Sequence, residues 1–370
     1  MKIGIVCPYH IFKPGGVLEH VQQQAEILRS RGHEVNVITP RPLGHSGKSA
    51  PEGVIFMGGS ARIKTPSATS SDVSIMIDND ALDEELSKGY DVIHVHEPAV
   101  PFIGRQILPK VDCLRVGTFH AALAGNVIGK TLISSYRIYF KTILPYLDAI
   151  TAVSPAAVGY IGNSIHQDEI QFIPNGINLK LYKNKSVKRD NDMILFIGRL
   201  EKRKGTIYLI KAFAKLKDSR SKSKLVICGD GPMRSTLEKY VKDHKIKGVK
   251  FRGFISDKVK LDLLSKCGLL TSPAIYGESF GIVLAEAMAM GAPIVCHNND
   301  GYKWVMRETG RISLVDCTDA DAYAERLSLL LDDEEIRDVW QKWASEYVKQ
   351  FDYERVVDQY ENLYKINTKQ

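Results

Sequence analysis

Glu278 and Glu286 stand in the segment Gly277-Glu278-Ser279-Phe280-Gly281-Ile282-Val283-Leu284-Ala285-Glu286-Ala287, whose composition predicts a loop running into a helix. Glu278 precedes that helix, where a carboxylate can accept hydrogen bonds from sugar hydroxyls. The amides of Phe280, Gly281 and Ile282 point out of the helix start and, with the positive end of its dipole, suit a phosphate. Glu286 lies two turns in, within the otherwise apolar run Ile282–Met290. An unpaired carboxylate there is costly, and a ribose diol is a partner it can take. A second segment, Gly198-Arg199-Leu200-Glu201-Lys202-Arg203-Lys204-Gly205, sets basic side chains between a strand and a helix. Two such cations can clamp a diphosphate and neutralise it as a leaving group. A third, Pro14-Gly15-Gly16, is a glycine turn into a helix whose free amides again suit a phosphate. Its spacing is not G-x-G-x-x-G, so the dinucleotide fingerprint is absent. A solvated helix face, a solvated basic loop and a bare tight turn are the competing readings of the three segments.

The elements around these segments read as strand–helix alternation. Ile3–Val6 is a strand, and Val17, Val21, Ala25 and Leu28 recur at helical spacing before Gly32. Strands follow at Val35–Ile38, Val54–Met57, Val92–Val95, Arg115–Thr118, Ala149–Val153 and Gln171–Ile173. The polar stretch 182–192 reads as a linker. The alternation restarts with strand Met193–Ile197, helix Gly205–Leu216, strand Lys224–Cys228, helix Met233–His244 and strand Val249–Arg252. Leu269–Thr271, helix Ile282–Met290 and strand Ala292–Cys296 complete the pattern. Phe351, Val356, Val357, Tyr360, Leu363 and Tyr364 form a last helix expected to return to the first domain. Such alternation implies mostly parallel, doubly wound sheets. The expected division is a first domain at 1–187, with the returning helix 350–370, and a second at 190–348. Sites in such folds lie at the carboxyl ends of strands, facing a shared cleft, which is where all three segments fall.

Composition removes several classes. At 370 residues the chain exceeds one core. No apolar run approaches the ~20 residues of a membrane span, and no signal peptide is read at the start. The six cysteines are scattered without a C-x-x-C pair or a His/Cys cluster, which argues for a reduced cytoplasmic protein without a structural metal. The net charge of +7 hints at anionic partners. It is dispersed and lacks a basic-aromatic surface motif, so nucleic acid is not expected as a partner.

Glu278-x7-Glu286, Gly198-Arg199…Lys204-Gly205, Pro174-Asn175-Gly176 and Pro14-Gly15-Gly16 together resemble the family 4 retaining glycosyltransferases of the GT-B fold, and the likeness runs along the whole chain. The opening Met1-Lys2-Ile3-Gly4-Ile5-Val6-Cys7-Pro8-Tyr9, with His94-Val95-His96-Glu97-Pro98 and Thr118-Phe119-His120, is similar to the actinobacterial phosphatidylinositol mannosyltransferases. The resemblance implies an α/β GT-B architecture: an acceptor-binding and a nucleotide-sugar-binding Rossmann-like domain, facing a central cleft. It implies transfer of mannose from GDP-mannose to a lipid-linked or polyol acceptor such as phosphatidylinositol. Gly15 and Gly16 would sit by the donor phosphate, Arg199 and Lys204 would bind the diphosphate, and Ser279 to Ile282 would present amides to it. Glu278 would hold the transferred sugar and Glu286 the ribose. Ile255, Asp257 and Lys260 fall in the base-reading loop, where a carboxylate and an amine complement the donors and acceptor of guanine. Catalysis would rest on His120, Arg199, Lys204 and Glu278.

Tyr9, Arg62 and His120 match positions that meet the acceptor, whereas Leu18 stands for a glutamine and Ala121 for a threonine. The membrane-docking helix of that group is basic, but here the stretch is Asp78-Asn79-Asp80-Ala81-Leu82-Asp83-Glu84-Glu85, which anionic lipid would repel. Lys130, Tyr136, Arg137, Tyr139, Phe140 and Lys141 offer another candidate face for an anionic membrane, peripheral on the inner leaflet; a core helix with snorkelling cations is the alternative.

The implied chemistry is a front-face reaction in which the leaving diphosphate takes the acceptor's proton, so no cofactor and no metal is expected. Asp78-Asn79-Asp80 imitates the D-x-D metal site of the other large glycosyltransferase fold but reads as a solvated helix start. A UDP-sugar-dependent transferase, or a GT-B-shaped sugar-nucleotide epimerase needing no acceptor, remain as alternatives. A non-catalytic partner subunit would usually lose His120, Arg199, Lys204, Glu278 and Glu286, all present here.

Overall fold

The computed structural model describes residues 1–9, 11–12, 15–42, 49–64, 70–76, 79–122, 137–159, 161, 164–182 and 188–368, with the side chains of 60–64, 70–76 and 167 excepted. The chain forms two compact units, Met1–Gly176 with Tyr353–Gln370, and Ile177–Asp352.

In the first unit the strands are β1 (Lys2–Val6), β2 (Glu34–Arg41), β3 (Val54–Lys64), β4 (Ser70–Met76), β5 (Val92–His96), β6 (Leu114–Phe119), β7 (Ala149–Ala152) and β8 (Ile170–Phe172). Their order is β4-β3-β2-β1-β5-β6-β7-β8, parallel except for the β3–β4 pair. Ile3, Ile5, Val92, Val95 and Val116 are buried, as expected where helices cover both faces of a parallel sheet. Helix α1 (Gly16–Ser30) buries Leu18, Val21, Ala25 and Leu28, so Leu18 rather than Val17 is its first core position. Gly32, at φ 85°, ends it in the left-handed conformation that suits glycine. Helices α2 (Asn79–Ser87) and α3 (Ile103–Ile107) complete the numbered helices before the division.

The second unit has β9 (Asp190–Ile197), β10 (Lys224–Cys228), β11 (Val249–Gly253), β12 (Cys267–Ser272), β13 (Ile294–His297) and β14 (Leu314–Val315) in the all-parallel order β11-β10-β9-β12-β13-β14. Its helices are α4 (Thr206–Ser219), α5 (Arg234–Asp243), α6 (Asp257–Lys266), α7 (Ile282–Ala289), α8 (Asp300–Val305), α9 (Ala320–Asp332) and α10 (Glu334–Tyr347). Phe196, Leu209, Phe213, Ile227 and Leu327 form one buried cluster between sheet and helices.

The division falls at Gly176–Ile177, upstream of the polar stretch read as a linker. The Ile177 amide already donates to the Phe351 carbonyl at 2.7 Å, and Tyr182 donates to Glu286 at 2.7 Å, so this segment is bonded into the second unit. Residues 183–187 lie outside the described residues. Helix α11 (Tyr353–Asn367) belongs to the first unit, where Val356, Val357, Tyr360 and Tyr364 enter the core beside β1. Arg31, at the end of α1, ties it down through Glu354 at 3.0 Å and Asp358 and Glu361 at 2.8 Å. Gly176 explains the glycine of Pro174-Asn175-Gly176, since a Cβ there would stand 2.1 Å from the Tyr353 ring. Among the described residues, no helix is long and apolar enough to cross a membrane.

Candidate active site

In the second unit the strand order reverses between β9 and β12, and ligands of doubly wound sheets bind at that switch point beyond the strand ends. The loops leaving these two strands carry Arg199–Gly205 and Gly277–Gly281, and they are bonded to each other. The Ile275 amide donates to the Arg203 carbonyl at 2.9 Å. Gly205 has φ 66°, and a Cβ there would meet the Pro273 carbonyl at 2.1 Å, so only glycine lets the loops come this close. Glu278 Oε1 takes both Lys204 Nζ at 2.7 Å and Arg203 Nη1 at 2.6 Å. Burial alone would push the Glu278 carboxyl up, but Lys204 and Arg203 outweigh it and hold it below the usual carboxylate range. Arg203 also donates to the Gly277 carbonyl and, through Nε, to Glu201 at 3.0 Å. Arg199 pairs with Glu201 at 3.0 Å while its side chain stays 56% exposed, leaving donors for a ligand. Arg203 was legible in the sequence only as one more cation of a basic loop.

Helix α7 opens at Gly281, φ 87°, with no side chain capping it, so its first amides are left for another partner. Phe280 is buried, its ring packed edge-on against Phe351 with centroids 5.2 Å apart. Ser279 lies between Glu278 and this turn, and Ile282 is the first helical residue. Behind them, a Cβ on Gly301 of α8 would come within 2.2 Å of the Glu278 carbonyl oxygen. Glu286 is buried as expected, and it is paired: Tyr182 and Lys260 each donate to Oε1 at 2.7 Å. Lys260 also reaches Asp257 at 3.1 Å on α6, whose start Ser256 caps next to the half-buried Ile255. Burial lowers the Lys260 amine's pKa, yet the Glu286 and Asp257 charges more than reverse that. The structure thus joins Arg199 through Glu201 to Arg203, Lys204 and Glu278, and separately joins Asp257, Lys260 and Glu286.

In the first unit Gly15 caps α1 in extended backbone, and among the described residues no heavy atom lies within 4 Å of a Cβ added there. Pro14 lies outside the described residues. Tyr9 is half-buried, its carbonyl accepting from Thr39 at 2.8 Å. Arg62 lies on β3, and its side chain is outside the described residues. Leu18 is 5% exposed and packs in the core. His120, just past β6, is buried between two partners. Its Nδ1 stands 3.2 Å from Asn175 Oδ1 and its Nε2 2.8 Å from His96 Nδ1. Burial holds its pKa down to about 4, so the ring is neutral. Glu97, at the unusual φ of 54°, accepts the amides of His120 at 2.7 Å and Ala121 at 2.6 Å, fixing the turn after β6. Burial pushes its carboxyl up to about 7 against those two bonds.

One sequence expectation is corrected, and for another, one of its two alternatives is favoured. The absence of a histidine cluster holds for spacing along the chain but not in space: His20, His96 and His120 gather with nitrogens within 4.8 Å of one another. They come from α1, β5 and the end of β6, so no spacing pattern could reveal them; the alternation His94-Val95-His96 was the available signal. In the basic-aromatic stretch the described aromatic residues turn inward, as in the core helix with snorkelling cations. Phe140 is fully buried on Phe119, with ring centroids 5.4 Å apart, and Tyr139 is half-buried, while Arg137, Ile138 and Lys141 face outward. Lys130 and Tyr136 lie outside the described residues. On α2, Asp80, Asp83 and Glu84 face solvent, and Glu85 turns in to Tyr90 at 2.7 Å; Asp78 is outside the described residues.

Two doubly wound units, with a buried carboxylate held by cations at the switch point of the second, are the architecture of a GT-B glycosyltransferase. The Glycosyltransferase Family 4 model matches residues 14–181, and the model of Glycosyl transferases group 1 matches residues 180–347. Phosphatidyl-myo-inositol mannosyltransferase of Mycolicibacterium smegmatis is 31% identical over 98% of this chain and 93% of its own. The protein of that name from Mycobacterium leprae is 29% identical over 98% and 96%. Sucrose-phosphate synthase from Thermosynechococcus elongatus shares the fold, with a TM-score of 0.79 over 98% of each chain at 21% identity. The chain belongs to the family 4 glycosyltransferases that include these mannosyltransferases.

Proposed function

We propose that this glycosyltransferase moves mannose from GDP-mannose, with retention of configuration, to a hydroxyl of a lipid-linked or polyol acceptor such as phosphatidylinositol. The observation that carries the donor half is Glu278 held by Lys204 and Arg203 where the strand order reverses. A carboxylate fixed there orients a sugar, and the cations beside it lie where a diphosphate gathers charge as it departs. Mannose and the inositol lipid follow the two mycobacterial relatives.

In this reading Arg199 and Lys204 bind the diphosphate, together with the amides from Ser279 to Ile282 and the turn at Gly15 and Gly16. Glu286 takes the ribose hydroxyls. Asp257 accepts from guanine N1 and N2 while Lys260, tethered to it, donates to O6 beside Ile255. His120, neutral and oriented by Asn175, contacts the sugar, and Tyr9 and Arg62 meet the acceptor. The leaving diphosphate accepts the acceptor's proton, so the chemistry calls for no metal and no cofactor. Transfer would persist in a chelator. A cytoplasmic enzyme peripheral on an anionic membrane fits Arg105, Arg137 and Lys141 lying near the exposed Phe102 and Ile138; the Arg105 guanidinium donates to the Thr142 carbonyl.

A thermal-shift titration with GDP and UDP, without added metal, tests the donor, because a ligand that binds only the folded state raises its stability by mass action. A shift with GDP alone supports the reading; a shift with UDP alone replaces the donor and leaves the family intact. Radiolabelled transfer from GDP-mannose to phosphatidylinositol vesicles tests the acceptor. Conversion of the nucleotide sugar without any acceptor would indicate the epimerase reaction instead.

A further inference from the structure

The net charge of +7, read from the sequence as dispersed, is gathered in one stretch of the second unit. Residues 215–252 hold nine lysines and three arginines against three aspartates and one glutamate, a net charge of +8. The rest of the chain therefore sums to −1. The stretch runs from the end of α4 through β10 and α5 to β11, the edge strand of the sheet.

Folding brings the cations of this stretch together. β10 and β11 pair in parallel, with Leu225 opposite Val249 and the Leu225 amide donating to the Gly248 carbonyl at 2.8 Å. A Cβ on Gly248 would stand 2.9 Å from the Ser223 carbonyl oxygen and 3.6 Å from Lys217 Nζ. The turns entering the two strands lie side by side at their amino ends, where Lys222, Lys224, Lys245, Lys247 and Lys250 are all exposed. Lys224 meets Asp190 at 3.3 Å, and Lys217 donates to the Ser221 and Ser223 carbonyls. Arg220 is held by Asp192 and Asp332, and Arg234 by Asp230 and Glu238. Among the described residues Lys222, Lys245, Lys247 and Lys250 have no carboxylate partner. Asp218 and Asp243 are the remaining acids of the stretch. Lysines gathered with so few counter-charges repel one another, and an anionic surface relieves that repulsion.

The residue types choose the partner. Lysine is a flexible point charge suited to the diffuse field of an anionic leaflet, whereas nucleic acid calls for arginine forks and aromatic rings on which bases stack. Two of the three arginines are already paired, and the Tyr240 ring packs against the core and against His244, with centroids 3.9 Å apart. We propose that Lys222, Lys245, Lys247 and Lys250 form an electrostatic docking surface for an anionic lipid bilayer. The choice of partner rests on the membrane-lipid acceptor proposed above. The sheet is all-parallel and the donor loops leave the carboxyl ends of β9 and β12, so this surface and the donor site occupy opposite ends of the second unit.

The test sediments the full chain with vesicles of phosphatidylcholine alone and of phosphatidylcholine and phosphatidylglycerol in equal parts, over a range of salt. Binding should require the anionic lipid and weaken as salt screens the charges. Lys247→Gln should weaken it about fivefold, the equivalent of about 1 kcal/mol per lysine, and the triple variant Lys222→Gln, Lys247→Gln, Lys250→Gln about 100-fold. Lys342→Gln, exposed on α10, should change nothing. The GDP thermal shift of the triple variant should equal that of the wild type, which separates loss of docking from loss of the donor site. Equal binding to both kinds of vesicle, or a triple variant that binds as the wild type does, would overturn the proposal, whichever way the donor and transfer assays fall. Tighter retention of a single-stranded RNA than of anionic vesicles, lost in the triple variant, would overturn it too, by making nucleic acid the partner.

Discussion

Arg203 Nη1 donates to Glu278 Oε1 at 2.6 Å, and the same oxygen takes Lys204 Nζ at 2.7 Å. Arg203 is therefore the strut that couples the loop after β9 to the loop after β12. Replacing it leaves Glu278 with one cation and Glu201 with Arg199, and it frees the Gly277 carbonyl. Arg203→Met should lower kcat/KM for the donor roughly 10–100-fold, matching about 1–3 kcal/mol for a lost buried charged bond. Arg203→Lys should recover part of it. Steady-state kinetics at several donor concentrations checks this, and an unchanged kcat/KM would remove Arg203 from the site.

Gly301 touches the chemistry from behind. A methyl group there would press on the Glu278 carbonyl at 2.2 Å and its carbon at 2.7 Å, neither of which is a flexible side-chain end. Gly301→Ala should shift Glu278 while costing about 1–3 kcal/mol of stability, as overpacking does. The expected signature is a kcat loss larger than the drop in melting temperature suggests. Equal, small losses of both would mean that the loop absorbs the methyl without moving its carboxylate.

Glu286 holds Lys260 and Tyr182 together, so removing its charge while keeping its shape is informative. Glu286→Gln should weaken GDP binding by roughly tenfold, the equivalent of about 1.4 kcal/mol. It should leave Lys260 with Asp257. Calorimetric titration measures this directly; GDP affinity equal to wild type would argue that Glu286 is purely a structural partner of Lys260.

Stability should fall as pH drops through 6.5. Burial holds His94 down to about 3 and His120 to about 4, and lowers His20 and His96 as well. Their unfolded forms protonate near 6.5 while the folded forms stay neutral, so their contribution is complete above 6.5 and lost below it. At pH 5 His94 and His120 each cost roughly 2 kcal/mol, and His20 and His96 act in the same direction. Glu97 works the other way: its folded value near 7 exceeds the ordinary 4.5, so the penalty it imposes grows between those values as pH rises. Four imidazoles outweigh one carboxyl. Calorimetric melts at pH 7.5, 6 and 5 should show the first unit melting progressively earlier; a flat or rising melting temperature would contradict this assignment.

Much of the fold is legible because buried parallel strands appear as apolar runs. Lys224–Cys228 is found at its expected limits, and the helix read from Ile282 ends one residue early, at Ala289. The site loops are legible for a related reason, since glycines such as Gly205 and Gly281 are dictated by backbone geometry rather than packing. β4 escapes because Ser70–Met76 opens polar and sits antiparallel at a sheet edge. Helices α9 and α10 were signalled by Asp319 and Asp333, whose carboxylates cap them, yet those signals are local and easily passed over. Contacts between distant segments are illegible in principle: Arg203 with Glu278, or His20 with His96 and His120, exist only once the sheets have brought their loops together.

The two-piece construction of the first unit has a consequence for biosynthesis. Ile177–Asp352 lies in one stretch, so it has been synthesised in full before the ribosome begins Tyr353. Until α11 follows, the core around Ile3, Val21 and Val116 lacks Val356, Val357, Tyr360 and Tyr364 and presents an apolar groove in their place. The half of the enzyme translated first is thus the half completed last, and the nascent chain must keep that groove from other partners while the second unit folds ahead of it.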